Sequence, residues 1–428
     1  MGTVLLECDF PVHTNVQERI WAEIEDAARN PIVISHEYLD DEQLPQERQF
    51  EVLTEIFNTN VREYEIRTIS NHFSPVFRDG HPSHLSIIGS TGTGKTITIR
   101  WFLAQIEKFC AAKGIPFQQV HLDLCCPTPC FRALNNLACL LDASKRYRKG
   151  VSLEEIMGRV EAKLNPSDGY LVIFVDEADN VRTDFNAFYQ FLVKRLPQRI
   201  GARLILIFTS NRLDWMENLD PRVKSCLKVR ELSFKSYDAD SLKRILDMRV
   251  KKALQPDRIE EGVIDKIAAL ASQQHGDARK AVNLLRRSAD LAEQDRTPIT
   301  LDLVDRAYEE IERDKYIDMI RSSPKQLQAA LYAILTGKPR TGALHTGPAY
   351  LVYERFCSET GLRPISQRAF SDLLYELDMY GFIRARTVSR GRYGRTKEIS
   401  TSFSREIMCN LVRTIRETFS MGPGVMPL

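Results

Sequence analysis

At 428 residues the chain is too long for one ordinary core and implies two or three domains. Apolar residues at 43% and charged residues at 27% describe a globular protein, and no run approaches the roughly 18 uncharged apolar residues of a membrane-spanning helix, which excludes a helical membrane protein. The net charge of +2 hides an asymmetry: residues 1–60 carry thirteen acidic and three basic side chains, residues 323–428 fifteen basic and eight acidic, so the second stretch is the one suited to a polyanion.

The opening "MGTVLLECDFPVH" has neither a basic leader nor a long apolar core, so no signal peptide is read, and nine cysteines fit a reducing compartment inside the cell. Residues 1–35 form an acidic extension with no assignable role. From about Leu85 to Leu232 short apolar runs, "LSII", "QQVHLDL", "LVIFV", "LILIFT" and "VRELSF", alternate with amphipathic stretches. That alternation predicts an α/β domain over 36–233, with a parallel sheet buried on both faces. Beyond Ser236 the period becomes helical: Leu242, Ile245, Leu246, Val250 and Leu254 share a face, and the pattern continues to about Met319, predicting an all-helical lid over 234–321. The break "RSSPK", Arg321 to Lys325, reads as a domain junction. Residues 322–428 contain three helical stretches and then two short strands around a Gly-rich basic turn, the order of a winged-helix domain.

The segment "GSTGTGKT", Gly89 to Thr96, satisfies G-x-x-x-x-G-K-[ST] and lies between the strand "LSII" and the helical "ITIRWFLAQIEKF", where a phosphate-binding loop must lie. Gly89, Gly92, Thr93 and Gly94 supply backbone that can close around phosphate oxygens, and the following helix adds its positive end. Lys95 neutralises the terminal phosphates, and Thr96 can ligate Mg²⁺. A carboxylate for the metal and a group to orient water are then required. "LVIFVDEAD" supplies both, with Asp176 as metal ligand at the end of a buried strand and Glu177 beside it as the base. Asn211 ends the strand "RLILIFTSN" at the edge where open α/β sheets bind ligands; it is either a contact to the γ-phosphate or water, or a turn residue. Arg279 stands in the first turn of "HGDARKAVNLLRR", and spacing alone does not distinguish it from a surface arginine. Cys125, Cys126, Cys130 and Cys139 lack the paired C-x-x-C spacing of a zinc site and are read as ordinary thiols.

Together with "LPQERQFEVL" ahead of the loop, "TSNRLDWMENLDPRVKSCL", "HGDARKAVNLLRRSADLAE" and the tail "AFSDLLYELDMYGFI" to "SRGRYGRTKEI", these segments resemble, in order and spacing, the archaeal replication initiators of the origin-recognition-complex type, which are AAA+ ATPases. The resemblance covers about residues 36 to 416. It implies an ATP-dependent, cytoplasmic and nucleoid-associated initiator that uses ATP/ADP and Mg²⁺, binds and distorts double-stranded origin DNA, and helps to recruit the replicative helicase ring. By the same resemblance, Asn211 is a first sensor and Arg279 a second sensor reaching from the lid, while Leu44, Pro45 and Arg48 lie near the adenine. A helix inserted after the second strand is expected to contact DNA within Pro127 to Gly150, whose Lys145, Arg146, Arg148 and Lys149 are basic. One departure stands out. Relatives that hydrolyse ATP between subunits carry an arginine where "DPRVKSCLKV" has Cys226, with Arg222 one turn earlier, so the expectation is a slowly hydrolysing monomer in solution with several copies on DNA.

In a winged helix the third helix enters the major groove. Here it is expected from Ser366, its N-cap, to Tyr380, with Gln367, Arg368 and Ser371 at the exposed start and Phe370, Leu373, Leu374 and Leu377 inward. Arg368 is the candidate for a base edge. The wing carries Arg384, Arg386, Arg390, Arg392, Arg395 and Lys397 with no acid between the first and last, a phosphate-facing strip unless it is only a solvated hairpin. Two other functions fit parts of the pattern: a winged-helix transcriptional regulator with structural ATP, and a ring-forming AAA+ DNA-remodelling motor, the latter disfavoured by Cys226.

Overall fold

The computed structural model describes residues 32–33, 35–40, 45–78, 80–141, 151–163, 169–255, 257–337, 344–389, 395–401 and 403–421. The chain divides into two compact units, 1–304 and 305–428.

In the first unit five strands, β1 (His84–Ile88), β2 (Phe117–Asp123), β3 (Tyr170–Asp176), β4 (Arg203–Ser210) and β5 (Val229–Ser233), pair in parallel in the order β2-β3-β4-β1-β5. β3 is buried at every residue because helices cover both faces of the sheet. Its alternate side chains enter different cores. Tyr170, Val172 and Phe174 join Ile69, Phe73, Ile99, Phe102 and Leu103 on one face, while Leu171, Ile173 and Val175 join Leu134, Leu137, Phe188 and Tyr189 on the other. The register aligns the carboxyl ends, pairing Asp123 with Asp176 and Ile88 with Ser210, so the loops after β1, β3 and β4 emerge on one edge.

The helices of this unit that bear on function are α1 (Gln46–Phe57), α2 (Glu63–Phe73), α3 (Lys95–Ala112), α4 (Cys130–Leu141), α5 (Leu153–Lys163), α6 (Phe185–Gln190), α7 (Leu196–Arg199), α8 (Pro221–Leu227), α9 (Ala239–Ala253), α10 (Val263–Gln273) and α11 (Ala278–Asp295). The last three form the expected lid. Asp238 and Asp277 cap α9 and α11, accepting from Ser241 N (2.8 Å) and from Arg279 N (2.8 Å). Leu242, Ile245, Leu246 and Leu254 are buried, as their period predicts, and Arg249 is buried beside them because its guanidinium donates to the Tyr38 carbonyl at 2.9 Å. That bond belongs to a strap: Ser35 N donates to the Ala253 carbonyl, and Arg286 pairs with Asp40 at 2.6 Å. α1 also bridges, with Glu55 paired to Lys252 of the lid (2.7 Å) and Thr54 Oγ1 accepting from Trp101 Nε1 of α3 (3.0 Å).

The helix α12 (Leu301–Ser322) starts at the end of the first unit and carries the chain into the second. The unit boundary, at 304/305, therefore falls inside a continuous helix and not at "RSSPK". The reason is packing: Tyr316, Ile317, Met319 and Ile320 already belong to the core of the second unit. That core is built by α13 (Lys325–Thr336), α14 (Thr346–Thr360), α15 (Gln367–Met379) and α16 (Arg405–Thr418), with an antiparallel sheet in the order β6 (Leu344–His345), β8 (Arg395–Ser400), β7 (Arg384–Ser389). It is a winged helix. α15 begins as expected, Ser366 Oγ accepting from Ala369 N at 3.3 Å, with Phe370, Leu374 and Leu377 buried, Leu373 half-buried, and Gln367 and Arg368 exposed. Arg384 and Arg386 are exposed on β7, whereas Lys397 donates to the Ser371 carbonyl of α15 at 3.0 Å. Arg390, Arg392 and the side chain of Arg395 lie outside the described residues.

Candidate active site

The loop between β1 and α3 is shaped by its glycines. Gly92 (φ +69°) and Gly94 (φ +79°) adopt left-handed backbone that other residues resist. Both are also hemmed in: a Cβ at Gly92 would stand 1.8 Å from Asp277 Oδ1, and one at Gly94 2.5 Å from the Tyr237 hydroxyl. The lid thus meets the loop directly, and Ala278 N donates to the Gly92 carbonyl at 3.2 Å. Thr93 is buried, its Oγ1 donating to the Ser90 carbonyl at 2.8 Å.

Lys95 is nearly buried at the start of α3. Its Nζ donates to the carbonyls of Gly89 (2.7 Å) and Ser90 (2.8 Å) and to Asn211 Oδ1 (2.8 Å). Burial pushes its pKa down to about 8; Asp176 opposes that shift and Arg279 adds to it. Thr96 Oγ1 donates to Asp176 Oδ1 at 3.1 Å, and Thr209 Oγ1 donates to the same oxygen. Burial alone would raise the Asp176 carboxyl, but the facing His121 imidazole and the hydroxyls of Thr209 and Thr96 outweigh it and hold the group below its ordinary range. His121 Nε2 is 3.8 Å from Asp176 Oδ2, too long for a hydrogen bond, so its influence is electrostatic.

Glu177 turns away from the strand in left-handed backbone (φ 52°), its N–H shared between Asp176 Oδ1 (3.2 Å) and Thr209 Oγ1 (3.1 Å). Burial raises its pKa, the carboxylates of Asp176, Asp123 and Asp179 raise it further, and Arg279 draws it back. A carboxylate tuned upward beside one held ionised is the division of labour that a base and a metal ligand require. The charge of Arg279, on the lid, is felt by both Lys95 and Glu177.

The fold therefore brings together Gly89, Gly92, Thr93, Gly94, Lys95, Thr96, Asp176, Glu177, Asn211 and Arg279. Pro45 and Arg48 are not among them: both are exposed, Arg48 paired to Glu37 at 2.5 Å, and Leu44 lies outside the described residues. The arginine that does reach the loop is Arg62, at the N-terminus of α2. Its buried guanidinium donates to the carbonyls of Thr93 (2.8 Å) and Lys235 (2.6 Å), pairs with Glu65 (2.7 Å) and lies 4.0 Å from the centroid of the Tyr237 ring. Arg62 carries no signal in the sequence, since nothing local distinguishes "NVREYEI" from an exposed helix start. Asp277 does carry one, because a Gly-Asp pair before an apolar periodic run is a helix-start signal. Arg222 and Cys226 are both exposed on α8. Arg146 and Arg148, with Lys145 and Lys149, lie outside the described residues.

A phosphate loop at the carboxyl edge of a parallel sheet, an acidic pair on the adjacent strand and a helical lid carrying an arginine define an AAA+ ATPase. Comparison with known proteins agrees and is more specific. Family models match at 78–216 (AAA domain), 243–309 (Cdc6 AAA+ ATPase-type lid domain) and 318–410 (CDC6, C terminal winged helix domain). The ORC1-type DNA replication protein of Pyrococcus furiosus is 34% identical over 359 residues, covering 82% of this chain and 85% of that protein. ORC1-type DNA replication protein 1 of Sulfolobus acidocaldarius is 35% identical over 359 residues, covering 83% and 89%. Among solved structures, the Aeropyrum pernix ORC1 protein in complex with DNA matches with a TM-score of 0.67 and 30% identity over 91% of this chain and 97% of that one. The chain belongs to the ORC1-type, Cdc6-related family of DNA replication proteins.

Proposed function

We propose that the protein is an ATP-governed initiator that binds duplex DNA at a replication origin, distorts it and helps to load the replicative helicase. The observation that carries the nucleotide half is the convergence of Lys95, Thr96, Asp176, Glu177 and Asn211 from three strand ends under a lid that supplies Arg279. Lys95 and the loop backbone bind the phosphates, and Glu177 takes the proton from the attacking water. The residues present fit Mg²⁺: Thr96 Oγ1 and an ionised Asp176 face each other at 3.1 Å, a hard-oxygen pair of the kind that cation takes, and when bound it neutralises charge developing on the phosphates. Because Asp277 rests against Gly92, whatever the loop holds bears directly on the lid, so occupancy by ATP or ADP acts as a switch more than as an engine.

For DNA, the exposed Gln367 and Arg368 open a capped helix shaped for the major groove, and Arg384 and Arg386 stand on the edge strand of the wing. That a relative was solved in complex with DNA supports DNA binding. Exposed Cys226, where an arginine finger would stand, supports slow hydrolysis without an arginine from a neighbouring subunit; the protein acts as a monomer in solution, with several copies on DNA.

The decisive variants are Lys95→Ala, expected to abolish tight ATP binding, and Glu177→Gln, expected to keep binding and remove hydrolysis. Equal turnover in wild type and Glu177→Gln would overturn the assignment of the base.

A further inference from the structure

Two segments leave the carboxyl edge of the sheet side by side, the exit of β2 and the exit of β3. Leu124 N donates to the Asp176 carbonyl (3.2 Å), Thr128 N to the Asn180 carbonyl (2.8 Å), Arg182 N back to the Thr128 carbonyl (3.0 Å), and Cys130 N to the Thr183 carbonyl (3.0 Å). These bonds prolong the parallel pairing past the sheet, with Thr128 and Val181 bridged, and lead straight into α4. At the centre is Asn180. Its Nδ2 donates one hydrogen bond to the Leu124 carbonyl and one to Glu177 Oε2, both at 2.8 Å, while its own N–H donates to the Glu177 carbonyl at 2.9 Å. Both amide protons are thereby committed, so the side chain is held and in turn holds the carboxylate.

We propose that Asn180 is a positioning residue for the base: it fastens the Glu177 carboxylate to the exit of β2 and leaves the other carboxylate oxygen to face the water. This rests on Glu177 being the base. Without the amide, Glu177 keeps its backbone anchors, Asp176 and Thr209, but its side chain is free to leave the productive orientation. A base so loosened loses rate and not affinity, because the phosphates are gripped elsewhere.

The test is steady-state and single-turnover ATP hydrolysis by the full chain as wild type, Asn180→Ala, Asn180→Asp, Glu177→Gln and the double variant Asn180→Ala/Glu177→Gln. Asn180→Ala is expected to lower kcat about tenfold with KM for ATP unchanged. Asn180→Asp, which preserves shape but removes the donors and adds a carboxylate, is expected to lose at least as much and guards against a folding failure in the alanine variant. Whatever residual single-turnover rate Glu177→Gln retains, the double variant should match it, since Asn180 acts only through Glu177. Wild-type kcat in Asn180→Ala, a rise in its kcat, a loss confined to KM, or a further loss in the double variant would each overturn the proposal while the role of Glu177 stood. Wild-type turnover in Glu177→Gln would overturn that role itself.

Discussion

Replacing Gly92 by alanine should disturb the lid as much as the loop. At φ +69° an alanine pays roughly 1 to 2 kcal/mol for left-handed backbone. Its Cβ would also occupy space 1.8 Å from Asp277 Oδ1, a separation no atoms tolerate, so the carboxylate must withdraw. That carboxylate caps α11 by accepting from Arg279 N (2.8 Å) and Lys280 N (3.4 Å), and losing an aspartate cap costs about 1 kcal/mol. The expected destabilisation is about 2 to 3 kcal/mol, the upper end of what a single substitution ordinarily costs. Trp21, Trp101 and Trp215 are the three tryptophans and all lie within 1–304, so urea titration followed by tryptophan fluorescence reads the first unit alone. Asp277→Ala by itself should cost about 1 kcal/mol. Combined with Gly92→Ala it should add almost nothing, because the cap is already gone, which leaves a coupling of about −1 kcal/mol. Strict additivity, or a Gly92→Ala variant as stable as wild type, would refute the claim that loop and lid touch at this point.

Three further outcomes follow from particular contacts. Arg62→Ala strands the buried Glu65 carboxylate and unties the Thr93 and Lys235 carbonyls, so it should cost about 3 to 5 kcal/mol in the same titration; Arg62→Lys should rescue little, since one ammonium cannot reproduce the planar fork. His84 Nδ1 accepts from Leu206 N at 3.2 Å, and burial, helped by the neighbouring His81 and His72, pushes its pKa down to about 4, so the unfolded chain takes up the proton first as pH falls. Its contribution is complete above pH 6.5 and is lost towards pH 4, about 3 kcal/mol in all; urea titrations across that window should give a flatter profile for His84→Gln, which retains an acceptor, and an unchanged profile would refute the assignment. In DNA titrations over several salt concentrations, Arg386→Ala should weaken all duplexes alike and reduce the salt slope by about 0.9, whereas Arg368→Ala should cut the preference for one site by about 1 to 3 kcal/mol; the reverse pattern would mean that the wing reads sequence.

Much of this architecture is legible in the sequence because it is local. "GSTGTGKT" specifies its own loop by the spacing of Gly89, Gly94 and Lys95, and the apolar runs of β1, β3 and β4 announce themselves because a parallel strand buried on both faces has few polar alternatives, whereas the edge strands β2 and β5 show only a partial alternation. Asp176 and Glu177 announce themselves as charges ending such a run. What stays hidden depends on residues remote in sequence. Arg62 meets Thr93 across 31 positions and Lys235 across 173, and no local pattern marks it. Arg48 of "LPQER" stands on the surface beside Glu37, on a helix that the fold places between the lid and α3 through contacts remote in sequence. The unit boundary is invisible for a different reason: the helical period runs unbroken through residue 304, and only the partners of Tyr316 and Ile320 reveal that the core has changed.

The proposed function requires that nucleotide govern how this protein holds a particular duplex. Footprinting on chromosomal DNA from its own cell, in ATP, in ADP and without nucleotide, tests that most directly. Protection should concentrate on discrete duplex sites, its extent or pattern should differ between ATP and ADP, and that difference should vanish in Lys95→Ala while the site preference fades in Arg368→Ala. Protection spread evenly along the DNA, or discrete protection indifferent to nucleotide and unaltered in Lys95→Ala, would contradict it.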